Sequence, residues 1–208
     1  MSTAGSPSNL CPAPVRGANS TAPIASRANF RHAAGDNPSG GDQQLSEMGI
    51  EPATFRQVLG SYPTGVCVVT ALDAAGAPIG LVVGSFTSVS LDPPLVGFLP
   101  DKKSTTWPLI EAVGHFCVNV LASDQQALCR QIATPGPDKF AGVEYTLSNH
   151  NLPVLAGSVT RIECALHSVT EAGDHYFVMG RVLGLEVIRD AAPMLFFKGG
   201  YGSFAIPT

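Results

Sequence analysis

The chain has 208 residues, 45% of them hydrophobic, with a formal charge of -4 from 12 basic and 16 acidic side chains. That length supports one domain with a sizeable core and at most a small second module, and the acidic balance leaves no basic field for nucleic acid. No apolar run reaches the roughly 20 residues a bilayer-crossing helix needs, so no membrane-bound role is expected.

Residues 1–45 are rich in Ser, Ala, Pro, Gly and Asn and show no hydrophobic period. They are expected to form a disordered extension, with the folded domain at residues 46–208. Arg16, Arg27 and Arg31 precede the first acid, Asp36, faintly as in a transit peptide, but no apolar h-region marks a secretory signal. From Pro52 the pattern turns helical. Phe55, Val58, Leu59 and Tyr62 fall at i, i+3, i+4 and i+7, and this face is expected to lie on a sheet.

Tyr62-Pro-Thr-Gly65 ends that helix, and the β-branched run Val66–Thr70 turns at Ala74-Ala-Gly76 into Ile79–Val83, a first hairpin. The next stretch, Gly84-Ser-Phe-Thr-Ser-Val-Ser-Leu-Asp-Pro-Pro-Leu-Val96, carries three serines and a threonine within six residues. Alternation would turn Ser88 and Ser90 to one side and divide Phe86, Val89 and Leu91 between core and ligand. Hydroxyls and free N–H groups suit an oxygen-rich ligand, whereas Pro93 and Pro94 mark a lapse in sheet pairing.

After a strand at Leu95–Leu99, Ser104 reads as the N-cap of a helix with Thr105 and Thr106 in its first turn and Trp107, Ile110 and Val113 inward. Its N-terminus would attract an anion, helped by Lys102 or Lys103. His115–Leu121 alternates as a strand, and Asp124–Ile132 reads as a helix with Leu128 and Ile132 inward. Residues 134–152 look irregular, a length of loop that is usually functional. Val159–Val169 and Tyr176–Ile188 form a long hairpin about Glu171-Ala-Gly-Asp174, followed by a strand at Leu195–Phe197 and by Tyr201 and Phe204.

The five cysteines (Cys11, Cys67, Cys117, Cys129, Cys164) have no CxxC spacing, and three sit in apolar runs as small hydrophobes, which fits a reducing cytoplasm. No GxSxG, HExxH or clustered His/Cys spacing is present, so no metal is expected. The histidines (His32, His115, His150, His167, His175) are dispersed, with His115 and His167 inside strand patterns. His175 differs in opening a strand just after a turn. No GxGxxG follows a strand, so a Rossmann site is absent. Six or seven strands with short helices point to a closed or partly closed β-barrel with helices on its ends.

Four motifs in order resemble the flavin reductases that feed two-component monooxygenases: Gly84–Val96, Ser104-Thr-Thr-Trp107, Pro137-Asp-Lys-Phe-Ala-Gly142 and Gly173-Asp-His175. The resemblance spans about residues 52 to 206. It implies a mainly β fold, the Greek-key-like, FMN-binding split β-barrel with a few short helices. It also implies hydride transfer from NADH, or alternatively NADPH, to FMN or FAD, with reduced flavin released to a separate oxygenase or halogenase. In that family the cofactors carry the chemistry and the protein orients them.

By the resemblance, Ser90, Ser104 and Thr105, with Lys102, would hold the flavin phosphate. Ser85, Phe86 and Ser88 would lie near the ribityl chain and ring, beside Val83, Gly84 and Val89, with Lys139, Phe140 and Tyr201 also at the flavin. His175 would be the catalytic residue, orienting the nicotinamide, in a homodimer that binds flavin near the subunit interface. Two alternatives share the fold: a flavin-retaining electron carrier and a non-enzymatic flavin-binding module. A related barrel family oxidises pyridoxine phosphate, but the basic residues wanted for that substrate are sparse here.

Overall fold

The structure is a computed structural model that describes residues 49–205. The extension expected over residues 1–45, including Cys11, Arg16, Arg27 and Arg31, lies outside the described residues, as does His32.

Helix α1 (Pro52–Leu59) starts on a proline, whose missing N–H is not needed in a first turn, and Gly60 ends it by donating to Arg56 O at 2.9 Å. Its apolar face forms as the spacing predicts, yet no residue of the helix is buried, and Val58 and Tyr62 are 61% and 71% exposed. The expectation that this face lies on the sheet is therefore corrected.

Twelve strands follow: β1 (Thr64–Gly65), β2 (Cys67–Leu72), β3 (Pro78–Val83), β4 (Thr87–Ser90), β5 (Leu95–Phe98), β6 (His115–Val120), β7 (Tyr145–Leu147), β8 (Pro153–Leu155), β9 (Thr160–Ala172), β10 (His175–Val187), β11 (Met194–Phe197) and β12 (Gly200–Ser203). Helix α2 (Trp107–Val113) lies between β5 and β6, and α3 (Gln126–Ala133) between β6 and β7. Seven strands pair antiparallel in the order β3-β2-β6-β9-β10-β5-β4.

The two edges of that sheet, β3 and β4, are consecutive in the chain. Only Gly84, Ser85 and Phe86 separate them, a connection that reaches at most about 14 Å. Six interstrand steps of about 4.8 Å would hold the edges of a flat sheet about 29 Å apart. The sheet must therefore curl until its edges approach. Its concave side encloses a core from β2, β3, β5, β6, β9 and β10, with Phe98 edge-on to both Trp107 and Phe116 and α2 supplying Trp107 and Ile110. Val113, expected inward, is half out at 37% exposure.

Alternation through Val66 and β2 puts Cys67, Val69 and Ala71 in this core and Val66 and Val68 in a second one outside, under α3, Leu155, Phe140 and Met194. Leu128 only partly enters that second core; Cys129 and Ile132 are the buried residues of α3. The connection expected to be irregular over 134–152 is partly ordered. Tyr145–Leu147 pairs with Pro153–Leu155 as a small hairpin, and Asn119 pins it to the sheet by accepting from Leu155 N–H at 2.9 Å. The strand at Leu195–Phe197 also gains a partner in β12, and β1 joins them in a three-stranded sheet.

The long β9–β10 hairpin is made as expected, with Ala172 opposite His175. Gly173 takes the positive φ of 65° that a two-residue turn of matching twist requires at its first position. Midway, Gly180 permits a close approach: a Cβ there would stand 2.6 Å from Phe116 Cζ and 3.0 Å from Cys164 Cβ. Phe116 has no room to retreat, because it is packed against Phe98 with ring centroids 5.5 Å apart. Gly180→Ala is accordingly expected to destabilise the fold by about 1–3 kcal/mol, seen as a lower urea midpoint with an unchanged m-value.

Candidate active site at the open end of the sheet

The curl brings the expected motifs to one end of the sheet. At the β3–β4 connection, the Ser85 hydroxyl accepts from Leu99 N–H at 2.9 Å and lies 3.4 Å from Leu99 O. Ser85 was expected at a ligand, but its hydrogen bonds are spent on clamping this connection to the end of β5. From there the chain runs along the hairpin tip: Tyr176 N–H donates to Pro100 O and Lys102 N–H to Asp174 O, both at 3.0 Å, and Asp101 bridges His175. One strap, residues 99–104, therefore touches the β3–β4 connection, the Gly173-Asp-His175 turn and the start of α2.

That start differs from expectation. The helix begins at Trp107, and Ser104 stands three residues before it, its Oγ accepting from Thr106 N–H at 3.3 Å and Trp107 N–H at 3.1 Å. Pro108 has no N–H, and Leu109 N–H bonds Thr106 O at 3.1 Å. The anion site expected of free helix N–H groups is thus corrected, because those groups already have partners. What remains for an anion is the hydroxyl hydrogen of Ser104, the exposed Thr105 and the ammonium of Lys139, which donates to Thr106 Oγ1 at 3.4 Å.

Lys139 arrives from 33 residues away. Gln131 on α3 donates to both Lys139 O and Ala141 O, and Phe140 inserts its ring against Gly80 and Ile132. Phe140, expected at the ligand, is instead the anchor of this segment in the second core, edge-on to Tyr145. Lys102, also expected at the anion, bonds Glu171 at 3.1 Å and stands over the Tyr176 ring, so it braces the hairpin.

Along the sheet edge, the pairing of β4 with β5 slips between Ser88 and Ser90. This bulge corrects the strict alternation expected of Ser88 and Ser90. Ser88 is exposed, Val89 packs with Phe177 over Gly97, and Ser90 is half-buried opposite Leu95. Ser85 and Ser90 stand at opposite ends of the edge, and no hydrogen bond joins Ser90 to Ser104 or Thr105. Phe86 is half-buried against the inner core.

Behind the connection, Val83, Gly84 and Tyr201 line an apolar cavity of about 200 Å³ with Thr64, Val66, Val82 and Phe196. Thr64 was missed by pattern reading. Only its approach to Gly84, where a Cβ would stand 3.0 Å from Thr64 Oγ1, reveals it. Tyr201 OH receives the Cys129 thiol at 3.4 Å, and this bond with burial holds the phenol above its usual pKa. It stays a neutral wall.

Among the described residues His175 is the one histidine at this end; its Nδ1 lies 2.7 Å from Asp174 Oδ1. His115 and His167 are exposed strand residues, and His150 pairs with Glu163 on the outer face. The four described cysteines are free and buried, and burial pushes Cys67, Cys117 and Cys164 up to about 12. Those three strand thiols are protonated and inert, as their strand positions suggested. Among the described residues no group of His, Cys, Asp or Glu could hold a metal, and no helix is long and apolar enough to cross a membrane.

Fold and site together define a curled antiparallel β protein whose open end offers hydroxyls, the Lys139 ammonium and the His175 imidazole. Residues 59–205 match the flavin reductase like domain, and the chain belongs to that family. It is 54% identical over 162 residues to a flavin reductase of Pseudomonas putida, covering 78% of this chain and 95% of the relative. A crystal structure of a nitrilotriacetate monooxygenase component B homologue from Mycobacterium thermoresistibile superimposes with a TM-score of 0.72 at 40% identity, over 78% of this chain and 89% of that one. The NADH:FAD oxidoreductase of Streptomyces globisporus, solved with NAD and FAD fragments, gives 0.69 at 36% identity, over 74% and 92% of the two chains.

Ser104→Ala leaves the Thr106 and Trp107 N–H groups without their acceptor. It is expected to lower stability by about 1 kcal/mol in urea titration, with Ser104→Asp recovering most of it, since either side-chain oxygen can cap.

Proposed function

We propose that this chain takes hydride from NADH, or NADPH, to FMN or FAD and hands the reduced flavin to a separate oxygenase or halogenase. Its family and the chemistry of its open end support this. Flavin and nicotinamide supply the redox chemistry when bound, so the chain's residues have to hold, orient and exclude water. Ser104, Thr105 and Lys139 hold the flavin phosphate. Gly84, Phe86 and the edge residues Ser88 and Ser90 border the rest of the flavin, with Val83 and Tyr201 as apolar backing, and His175 faces the nicotinamide.

One observation carries the reading. The half-buried Lys139 ammonium is met only by a neutral hydroxyl, with no ion-pair partner among the described residues. A cation placed among hydroxyls without a counter-ion suits a phosphate, to which charge-assisted hydrogen bonds contribute about 1.5–3 kcal/mol.

The test is oxidation of NADH and NADPH with FMN, FAD or riboflavin added in turn. Turnover is expected to saturate in flavin, with FMN held about tenfold more tightly than riboflavin, which lacks the phosphate. Lys139→Met is expected to erase that difference while leaving maximal turnover nearly unchanged, because a contact kept in the transition state is uniform binding. If the variant still prefers FMN over riboflavin as wild type does, Lys139 leaves the site; no flavin-dependent turnover at all defeats the function.

On this reading the catalytic unit is residues 46–208, with residues 1–45 an accessory extension, and the free, buried thiols support a reducing cytoplasm. We further assign a homodimer. The α1 face of Phe55, Val58, Leu59 and Tyr62, the β10 stripe of Leu183, Leu185 and Val187, and Phe196 with Phe197 are exposed, and exposed apolar faces of this kind favour an interaction surface. A second copy can cover it isologously. Sedimentation is expected to give a dimer at micromolar concentration and a monomer for Val58→Glu/Leu59→Glu; a monomeric wild-type protein would defeat the assignment.

A further inference from the structure

We propose that Asp174 is a positioning residue that fixes the tautomer of His175, leaving Nε2 of the neutral ring as an acceptor for the carboxamide N–H of the nicotinamide. This rests on the reading that His175 faces that ring.

The geometry at the turn is specific. Asp174 Oδ1 and His175 Nδ1 are 2.7 Å apart. An ionised carboxylate only accepts, so the ring must present Nδ1–H to it, and a neutral ring then has its lone pair on Nε2. Asp174 is held ionised: the hydrogen bond from His175 keeps its carboxyl below the usual range, and Lys103 adds to this.

Of the surrounding charges, Lys103 acts on Asp174 and the others are held elsewhere. Asp101 Oδ1 accepts from Lys103 N–H at 2.7 Å, and Lys102 is paired with Glu171 at 3.1 Å over the Tyr176 ring. The backbone of the turn is held independently of the pair, by Lys102 N–H on Asp174 O and Tyr176 N–H on Pro100 O. Removing the carboxylate therefore frees the ring without freeing the turn. Because the Asp174 side chain is 80% exposed, the pair contributes little to folding stability, yet it still selects between two tautomers.

The requirement on the ring is chemical. A nicotinamide carboxamide offers an N–H₂ donor and a carbonyl acceptor. Nε2 as a lone pair meets the first, and Nε2–H would meet only the second, rotating the carboxamide and the ring that carries the hydride. Asp174→Asn preserves shape but lets an amide N–H₂ donate to Nδ1, so both tautomers become available.

The test uses the full chain and two reductants, NADH and reduced 3-acetylpyridine adenine dinucleotide, whose methyl ketone keeps the carbonyl and lacks the N–H₂. The ratio of their kcat/KM values in His175→Ala is the baseline for their intrinsic difference. Wild type is expected to prefer NADH about tenfold beyond that baseline, the scale of one hydrogen bond. Asp174→Asn is expected to fall toward the baseline, between it and wild type, with the flavin KM within twofold and the thermal midpoint unchanged. An Asn variant that keeps the wild-type ratio overturns the inference, as does one whose ratio falls only together with flavin binding and thermal stability. If His175→Ala matches wild type with NADH, the reading of His175 itself fails; if His175→Ala is impaired while Asp174→Asn keeps the wild-type ratio, only the role of Asp174 is lost.

Discussion

Three residues between β3 and β4 set the shape of this molecule. Because they join the two outermost strands of a seven-stranded sheet, the sheet cannot lie flat, and the Ser85 hydroxyl bound to Leu99 fastens the join to the end of β5. The inner core follows from this curl: Cys67, Val69, Val83, Val96, Phe98, Phe116, Cys164 and Val178 come from six strands and meet only because the sheet is wrapped. The open end follows too, since the same join, the strap at 99–104 and the β9–β10 turn are bound to one another there. A polar side chain in the middle of a presumed binding motif thus does structural duty so that its neighbours can bind.

The outer face needs its own fastening. Thr70 and Asn119 are buried there, and between them they engage Val68, Cys117, Pro153 and Leu155, so that a small hairpin is held against β2 and β6 with its polar groups satisfied. Glu163, also buried, is met by Arg161 at 2.9 Å and by His150. With that face closed and the Cys67, Cys117 and Cys164 thiols held protonated by burial, the functional groups that the open end offers are few: hydroxyls, Lys139 and the Asp174–His175 pair. That economy fits a protein whose cofactors do the chemistry, where the chain must place a phosphate and a ring and need not supply a nucleophile.

The elements legible in the sequence are those whose signals are local. Period-2 alternation with turn residues located the β2–β3 and β9–β10 hairpins, and the 3.6 period located α1, because these depend on neighbours a few residues away. The four motifs in order located the open end and the family, which no single motif would have done. Misjudged elements depended on distant partners. The apolar face of α1 was legible, but what covers it was not, since nothing within a chain says whether its partner is its own sheet or another copy. The β4 bulge, invisible to alternation, arises where Val89 meets Gly97 and Phe177.

Sequence alone determined a mainly β chain, a hydroxyl-rich segment running into two prolines, histidines too dispersed for a metal and cysteines placed as hydrophobes. Only tertiary structure decided which of the polar residues remain available. Ser85 is spent on Leu99, Lys102 on Glu171 and the helix N–H groups on Ser104, while Lys139 is carried beside Thr106 by Phe140 packing on Gly80 and Ile132. The physical reason is that a hydrogen-bonding group is free for a ligand only if folding has not already given it a partner, and those partners lie 14, 69 or 33 residues away.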